Sequence, residues 1–189
     1  WPAARGILED LCSNLDIARA TRLPICQDTG LVTVFLELGQ DVHISGGGLD
    51  EAVQEGVRRG YAEGYLRKSV VRDPLRRVNT GDNTPAALKL RIVPGEGVRI
   101  TVSPKGAGSE NMCRIKMLTP AEGEEGVRRF VVDTVLSAGG NPCPPTVVGV
   151  GIGGGFVTVA AIAREALLRP VGEPNADGYY AAMERELLA

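Results

Sequence analysis

Apolar residues recur at helical spacing near the start of the chain and again after position 50. Ile7, Leu11 and Leu15 lie four residues apart, which predicts a helix from Ala3 to Thr21. Asp50 stands where an N-cap residue is favoured, ahead of a second predicted helix. The apolar positions of this second helix also lie four residues apart: Val53, Val57, Tyr61 and Tyr65.

Three further helices are predicted in the second half of the chain. The segment Thr119–Glu122 is a capping box with proline at the first helical position, so a helix should follow and stop at the Gly139–Gly140 pair. Another helix is expected after the glycine run Gly153–Gly155, continuing through Leu168. A last helix is expected from Gly178.

Runs rich in β-branched residues predict strands between these helices. Leu31–Leu38 reads as a strand that ends at Gly39, and Thr146–Ile152 as an apolar strand. Ala86–Val93 and Val98–Ser103 alternate on either side of a Pro-Gly-Glu-Gly turn, a strand–turn–strand signal. Arg114–Leu118 could form one more short strand. Hairpin-like and crossover-like connections together predict an α/β (α+β) fold, a single domain with a mixed β-sheet packed with helices.

The composition agrees with a globular protein. Of the 189 residues, 43% are hydrophobic and 23% are charged, which argues against disorder and coiled coil. The net charge of −2 gives no reason to expect a nucleic acid or a membrane surface as partner. No apolar run approaches the roughly 18 residues needed to span a bilayer. Because the chain opens at Trp1 without an initiator methionine, we expect it to be a fragment.

Four cysteines limit the possible metal chemistry. No Cys-x-x-Cys pair occurs, which disfavours a zinc ribbon or a thioredoxin-type site. A chain of this size needs no disulfides, so we expect a reducing, cytoplasmic environment. Cys26 and Cys143 fall on loops at the ends of predicted elements, and the two prolines after Cys143 should fix the direction of its sulfur. Cys12 and Cys113 are expected to be small buried hydrophobic residues.

Three other features allow alternative chemistries. Gly149, Gly151 and Gly154 satisfy G-x-G-x-x-G, which would suit a nucleotide-binding module, although no second strand ending in an acidic residue follows. Close packing of a helix on a strand is the simpler explanation. The glycine loop Lys105–Asn111 could turn backbone amides toward an anion, although its spacing alone favours an ordinary polar turn between strands. His43, the only histidine, is expected on the surface.

Several segments occur in an order that resembles the class I fumarate hydratases. The similarity is to the α subunit of the two-subunit type and to the related L-tartrate dehydratase α subunit. It covers nearly the whole chain, and the motifs are specific only in combination. They are Pro24–Gly30, Leu66–Ser69, Asn79–Ala86, Lys105–Asn111, and Asn141–Pro145 with Gly149–Gly154.

This resemblance implies a hydro-lyase with a [4Fe–4S] cluster held by three cysteines, whose fourth iron stays open for substrate. Cys26 and Cys143 match two of the ligand positions. By the same analogy Gln27 and Asp28 are the catalytic residues beside the cluster. Arg67 should bind a carboxylate of a small dicarboxylate substrate, since an arginine fork matches a carboxylate. Backbone at Gly106, Ala107 and Gly108 should line the substrate pocket.

The resemblance also carries expectations about what this chain lacks. The third cysteine ligand of the family belongs to a later segment, beyond Ala189, so the truncated chain should bind no stable cluster and should be inactive alone. The remaining substrate contacts are expected from a separate β subunit in a hetero-oligomer, with a possible α–α dimer. Fumarate hydration to (S)-malate is the preferred activity and tartrate dehydration the alternative. An isolated domain that has lost its activity is a further possibility.

Overall fold

The computed structural model of the protein describes residues 2–189. Within this range the chain forms α-helices, a short 3-10 helix at Pro120–Glu122, and three β-strands. The helices are α1 Pro2–Thr21, α2 Leu49–Glu63, α3 Ala107–Glu110, α4 Gly123–Ala138, α5 Gly155–Ala166 and α6 Gly178–Leu188. The strands are β1 Leu31–Gly39, β2 Ala87–Val93 and β3 Val98–Lys105.

Contacts between residues divide the chain into two compact units. The first unit ends at Ala107 and contains α1, α2 and the three strands, while the second unit covers Gly108–Ala189. The predicted mixture of helices with a mixed sheet is confirmed. The single-domain assignment stays a prediction.

The first unit is built on a three-stranded sheet in the order β2-β1-β3. Strand β1 pairs with β2 in parallel and with β3 antiparallel, so β2 and β3 do not pair with each other although only four residues separate them. The hairpin-like pairing suggested by the strand–turn–strand pattern is therefore wrong. The turn instead passes across the end of β1, where Gly39 N–H donates to Gly97 O at 2.7 Å and Gln40 N–H to Val93 O at 2.7 Å.

Strand β1 and helix α2 form the core of the first unit. The sheet is mixed and β1 lies at its centre, so β1 is buried along nearly its whole length. Its residues Val32 and Val34 pack with Val57 and Tyr61 of α2. The four-residue spacing predicted this apolar face of α2, and these two positions are confirmed.

The ends of α2 differ from the sequence-based prediction. The N-cap residue is Gly48, not Asp50, which lies inside the first turn. A carboxylate in the first turn still interacts favourably with the helix dipole. The helix ends at Glu63, and Tyr65 lies beyond it with φ 52° and almost complete exposure. Tyr65 is thus not part of the buried apolar face.

In the second unit, the predicted capping box precedes α4. The Glu122 carboxylate accepts a hydrogen bond from Thr119 N–H at 2.7 Å, and Pro120 opens the 3-10 helix. Gly123, the first residue of α4, has φ 51°, so the helical path is interrupted between the 3-10 helix and the rest of α4. Helix α6 begins after Asp177, whose carboxylate accepts from Tyr179 N–H at 2.9 Å.

Two predicted strands of the second unit are wrong. Within the described range, neither Thr146–Ile152 nor Arg114–Leu118 pairs with another strand. A Cβ atom at Gly149 or Gly151 would collide with the backbone of α5. The extended segment therefore lies directly against a helix, and its apolar residues reflect this packing. The G-x-G-x-x-G glycines thus pack against a helix as expected, but the segment that carries them is not a strand.

No helix in the described part of the chain combines the length and apolar character needed to cross a membrane.

Candidate functional site

A cleft of about 490 Å³ in the first unit brings three of the predicted site residues together. Cys26, Asp28 and Gly106 all line it, although Gly106 is far from the other two in sequence. Leu23, Pro24 and Pro104 add apolar surface. Among the described residues that line this cleft, neither Gln27 nor Arg67 occurs. The cleft therefore presents one thiol and one carboxylate beside backbone of the glycine loop.

The Cys26 thiol is exposed and lies within a short hydrogen-bonded turn. Its sulfur accepts a hydrogen bond from Asp28 N–H at 3.4 Å, and the thiol donates to Gln27 Oε1 at 3.4 Å. Cysteine binds metals as its thiolate. Gln27 thus contacts the sulfur directly, while Asp28 contributes its backbone to the sulfur and its carboxylate to the cleft.

Two glycines allow the Cys26 loop to approach the Lys105–Asn111 loop. Gly30 has φ 52°, and a Cβ atom there would overlap the carbonyl group of Lys105. A Cβ atom on Gly106 would lie 2.9 Å from Asp28 Oδ2. Position 30 requires glycine because the overlap there is with backbone, whereas the Asp28 side chain could shift to accommodate a Cβ atom at position 106.

Arg67 is exposed, and its main-chain carbonyl oxygen accepts a hydrogen bond. Thr29 Oγ1 donates to Arg67 O at 2.7 Å, and Tyr61 Oη donates to Thr29 O at 2.9 Å. Burial of Tyr61 raises the pKa of its hydroxyl, so the group stays protonated and available as a donor at neutral pH. The Arg67 side chain therefore starts from a main-chain position that is hydrogen-bonded to the Cys26–Gly30 loop.

Asp82 and Asn83 make hydrogen bonds to other segments near the site, and no sequence pattern indicated these contacts. Asp82 accepts hydrogen bonds from Thr84 N–H at 3.0 Å and from Arg58 Nε at 3.0 Å, while Asn83 is fully buried. These contacts hold the pKa of Asp82 far below its ordinary value, and the hydrogen bond from Thr84 N–H makes the largest contribution. The hydrogen-bond partners of these two residues could not be assigned from the sequence alone.

The second unit contains the remaining predicted site residues. Gly108 lies against Asn141, since a Cβ atom at Gly108 would sit 3.1 Å from Asn141 O. Cys143 follows on the same loop with φ 58° and an exposed thiol. Ala107 is the last residue of the first unit and starts α3, where its side chain is exposed.

The other cysteines and the histidine lie at the surface. Cys12 and Cys113 are both exposed, so the prediction that they are buried is wrong. Helix α1 has no fully buried residue, which is why Cys12 remains open to solvent despite its apolar neighbours. His43 is exposed, as expected.

The two predicted metal ligands, Cys26 and Cys143, are both exposed cysteines. Residues 2–189 contain no group of three or more His, Cys, Asp or Glu side chains that could hold a metal ion. The exposed thiols of Cys26 and Cys143 fit the chemistry of thiolate ligands individually, because both are accessible and neither is in a disulfide.

Comparison with known proteins gives a match along the whole chain. The sequence model of the family described as "Fumarate hydratase (Fumerase)" matches residues 1–189. A protein of Methanocaldococcus jannaschii named "Putative L(+)-tartrate dehydratase subunit alpha" is 41% identical over 191 residues. This match covers 98% of the chain and 67% of the relative.

Bacterial relatives are more distant but carry a similar name. "L(+)-tartrate dehydratase subunit alpha" of Escherichia coli strain UTI89 is 34% identical over 185 residues, and the protein of that name from strain K12 is 32% identical. Each match covers 96% of the chain but only 60% of the relative. The chain thus spans less than two thirds of the length of these bacterial proteins.

Proposed function

The chain belongs to the fumarate hydratase (Fumerase) family, and on this basis we propose that it is the α-type subunit of a hydro-lyase. The proposed reaction is the reversible hydration of fumarate to (S)-malate. The observation that carries the proposal is the cleft of the first unit, where Cys26, Asp28 and Gly106 meet. A thiol, a carboxylate and glycine backbone at one cleft suit a reaction that binds a small anion and moves a proton.

Removal of water from malate breaks one C–O bond and one C–H bond on neighbouring carbons. The proton and the hydroxyl group must both leave, so side chains with acid–base and hydrogen-bonding capacity have to lie next to the two carbons. In this proposal Asp28 and Gln27 take these positions. This assignment is supported by the hydrogen bonds that both residues make with the Cys26 sulfur.

Binding of the substrate carboxylate is assigned to Arg67 and to the backbone at Gly106–Gly108. A guanidinium group can donate two parallel hydrogen bonds to a carboxylate, which fixes orientation as well as position. The Thr29–Arg67 hydrogen bond supports this role because it ties the Arg67 main chain to the loop that carries Asp28.

We propose that Cys26 and Cys143 are thiolate ligands of an iron–sulfur cluster in the complete protein. When bound, a [4Fe–4S] cluster with one open iron supplies a Lewis acid for the departing oxygen. The chain's own contribution is to keep the Cys26 sulfur accessible and in contact with Asp28 N–H.

A partner subunit is part of the proposal. The relatives are named as α subunits, and we infer that this chain likewise works with a β subunit. Such a partner would supply the substrate contacts that the first unit does not.

L(+)-tartrate is the second candidate substrate, because the relatives described above carry that name. Malate and tartrate differ by one hydroxyl group. The nucleotide-binding alternative loses its main support, since Gly149 and Gly151 pack against α5. Calorimetry with NAD, ATP and fumarate tests it, and we expect no nucleotide binding.

Parallel turnover assays test the proposed function. The complete α chain is assembled anaerobically with its β subunit and assayed with (S)-malate and with L(+)-tartrate. We expect a higher kcat/KM on malate. A clear preference for tartrate would replace fumarate hydration by the second candidate, and absence of turnover on both substrates would refute the hydro-lyase assignment.

A further inference from the structure

Asn83 is a fully buried polar residue next to the candidate site, with 0% exposure. It lies in the polar loop between α2 and β2 and has φ 63°, in the left-handed region. Asparagine tolerates this conformation better than most residues other than glycine. A buried polar side chain in a costly backbone conformation needs several hydrogen bonds in compensation.

The side-chain amide of Asn83 meets this need with three hydrogen bonds to the main chain. Its Oδ1 accepts from Ser69 N–H at 2.7 Å and from Val70 N–H at 3.0 Å. Its Nδ2 donates to Gly30 O at 3.0 Å. The amide therefore joins two chain segments that are about 40 residues apart and share no strand pairing at these positions.

These two segments are the ones that carry the proposed site residues of the first unit. Gly30 ends the loop that contains Cys26 and Asp28, and Ser69 follows Arg67 by two residues. The Thr29–Arg67 hydrogen bond is a second link between the same segments. Asn83 and Thr29 thus fix the origin of the Arg67 side chain relative to the Asp28 loop.

We propose that Asn83 is a positioning residue for dicarboxylate binding. It sets where the Arg67 guanidinium can reach relative to Asp28, and it touches neither substrate nor metal itself. The inference rests on the proposed function, because it takes Arg67 as the carboxylate-binding residue.

The chemistry of the amide suggests graded substitutions. Asn83→Asp keeps an oxygen that can accept from Ser69 and Val70 but loses the donor to Gly30. Asn83→Gly removes all three hydrogen bonds while relieving the cost of φ 63°. If positioning is the role, the aspartate variant should be impaired less than the glycine variant.

Gln54 provides a matched control in the same unit. It too is buried and uses both ends of its amide, donating to Ala86 O at 3.2 Å and accepting from Ala86 N–H at 2.8 Å. Those bonds join α2 to the residue before β2 and do not involve the segments of Cys26 or Arg67. Gln54→Ala should therefore destabilise the fold without affecting dicarboxylate binding.

The experiment uses the assembled enzyme and two readouts, each below the unfolding temperature of every variant. Calorimetry measures the Kd of succinate, a dicarboxylate that cannot be dehydrated, and turnover of malate gives KM and kcat separately. We expect Asn83→Gly to raise the Kd and the KM about tenfold, with a much smaller effect on kcat. Asn83→Asp should lie between the glycine variant and wild type, and Gln54→Ala should match wild type.

The outcomes separate this inference from the proposed function. An unchanged succinate Kd in Asn83→Gly, or an equal rise in Gln54→Ala, overturns the positioning role. A wild-type enzyme that binds succinate without turning over malate or tartrate refutes the proposed reaction, while the Kd series still decides the role of Asn83. If the wild-type enzyme turns over malate but does not bind succinate, the KM values decide the role of Asn83, and an unchanged KM in Asn83→Gly overturns it.

Discussion

At the residue scale, the Cys26 sulfur interacts with both of the residues that follow it. It accepts from Asp28 N–H and donates to Gln27, so any change of the sulfur alters the arrangement of both proposed catalytic residues. We predict that Cys26→Ser abolishes hydratase activity and the visible absorbance of the reconstituted cluster, since serine is a poor substitute for a thiolate ligand.

Cys12 is the control for this prediction. It is also an exposed free cysteine, but it lies on α1, outside the cleft. Cys12→Ser should keep both absorbance and activity, and Cys143→Ser should lose both. Normal cluster absorbance in the Cys26 or Cys143 variant would contradict the ligand assignment.

Arg67 allows a second prediction at the same scale. Arg67→Ala leaves one substrate carboxylate unpaired. We expect kcat/KM to fall by an amount equivalent to a loss of about 2–4 kcal/mol in transition-state stabilisation. Arg67→Lys should recover only part of the loss, because a single ammonium group cannot reproduce the bidentate geometry. Steady-state kinetics of both variants checks this, and near-normal values for the alanine variant would remove Arg67 from the site.

At the element scale, Asp82 connects the polar loop to α2. Its carboxylate accepts from Thr84 N–H, Thr84 Oγ1 and Arg58, which together hold its pKa far below the ordinary value. A depressed folded-state pKa means that ionised Asp82 stabilises the fold above the unfolded-state pKa of about 4. This contribution is lost as the pH falls from about 4 toward the folded-state pKa.

We therefore predict that Asp82→Asn lowers the Tm at pH 7 by a few degrees and that the difference shrinks as the pH falls below about 4. The asparagine keeps the shape and one acceptor but loses the charge that pairs with Arg58. Thermal denaturation of both proteins at pH 7, 4 and 2.5 measures the effect. A Tm difference that does not change with pH would show that the charge of Asp82 is not the cause.

The same scale shows which elements the sequence could predict. Helices α2 and α4 were predicted from local signals, namely apolar spacing in one and the Thr119–Glu122 capping box in the other. Strand pairing was not predictable locally, since β1 lies between β2 and β3 although those two are consecutive. Thr146–Ile152 has the composition of a strand but pairs with no strand in the described range. Its Gly149 and Gly151 pack against α5 instead.

The candidate site was predictable to a similar extent. Motif resemblance selected Cys26, Asp28 and Gly106, and the structure places these three at one cleft. Asn83 was not singled out, because its function depends on the main-chain groups of Ser69, Val70 and Gly30, which no sequence pattern brings together. Hydrogen bonds between distant segments become visible only in the folded chain.

At the scale of the whole molecule, the chain has a larger accessible surface than a typical folded monomer of the same mass. Its accessible surface is 13437 Å², whereas a folded monomer of 19.9 kDa exposes about 8,700 Å². Even two independent units of these sizes would expose only roughly 10,000 Å². Many large apolar side chains are exposed, among them Leu136 and Val157 of the second unit, which are 74% and 89% exposed. Apolar surface of this extent is typical of regions that other polypeptide covers.

We predict that the 189-residue chain produced alone self-associates and binds the dye ANS, because its apolar side chains have no other partner in dilute solution. Replacing Leu136 and Val157 by lysine should reduce both effects without lowering the Tm, since neither side chain is buried in the unit. Ser137→Lys, compared with Leu136→Lys alone, is the matched control: it adds the same single charge beside Leu136 on α4 but removes no apolar group. Light scattering at several concentrations and ANS titration provide the measurements. Two outcomes would show that these apolar side chains do not drive the association. In the first, the wild-type chain stays monomeric at about 100 μM and does not increase ANS fluorescence. In the second, the Ser137→Lys variant is as soluble as the Leu136→Lys variant.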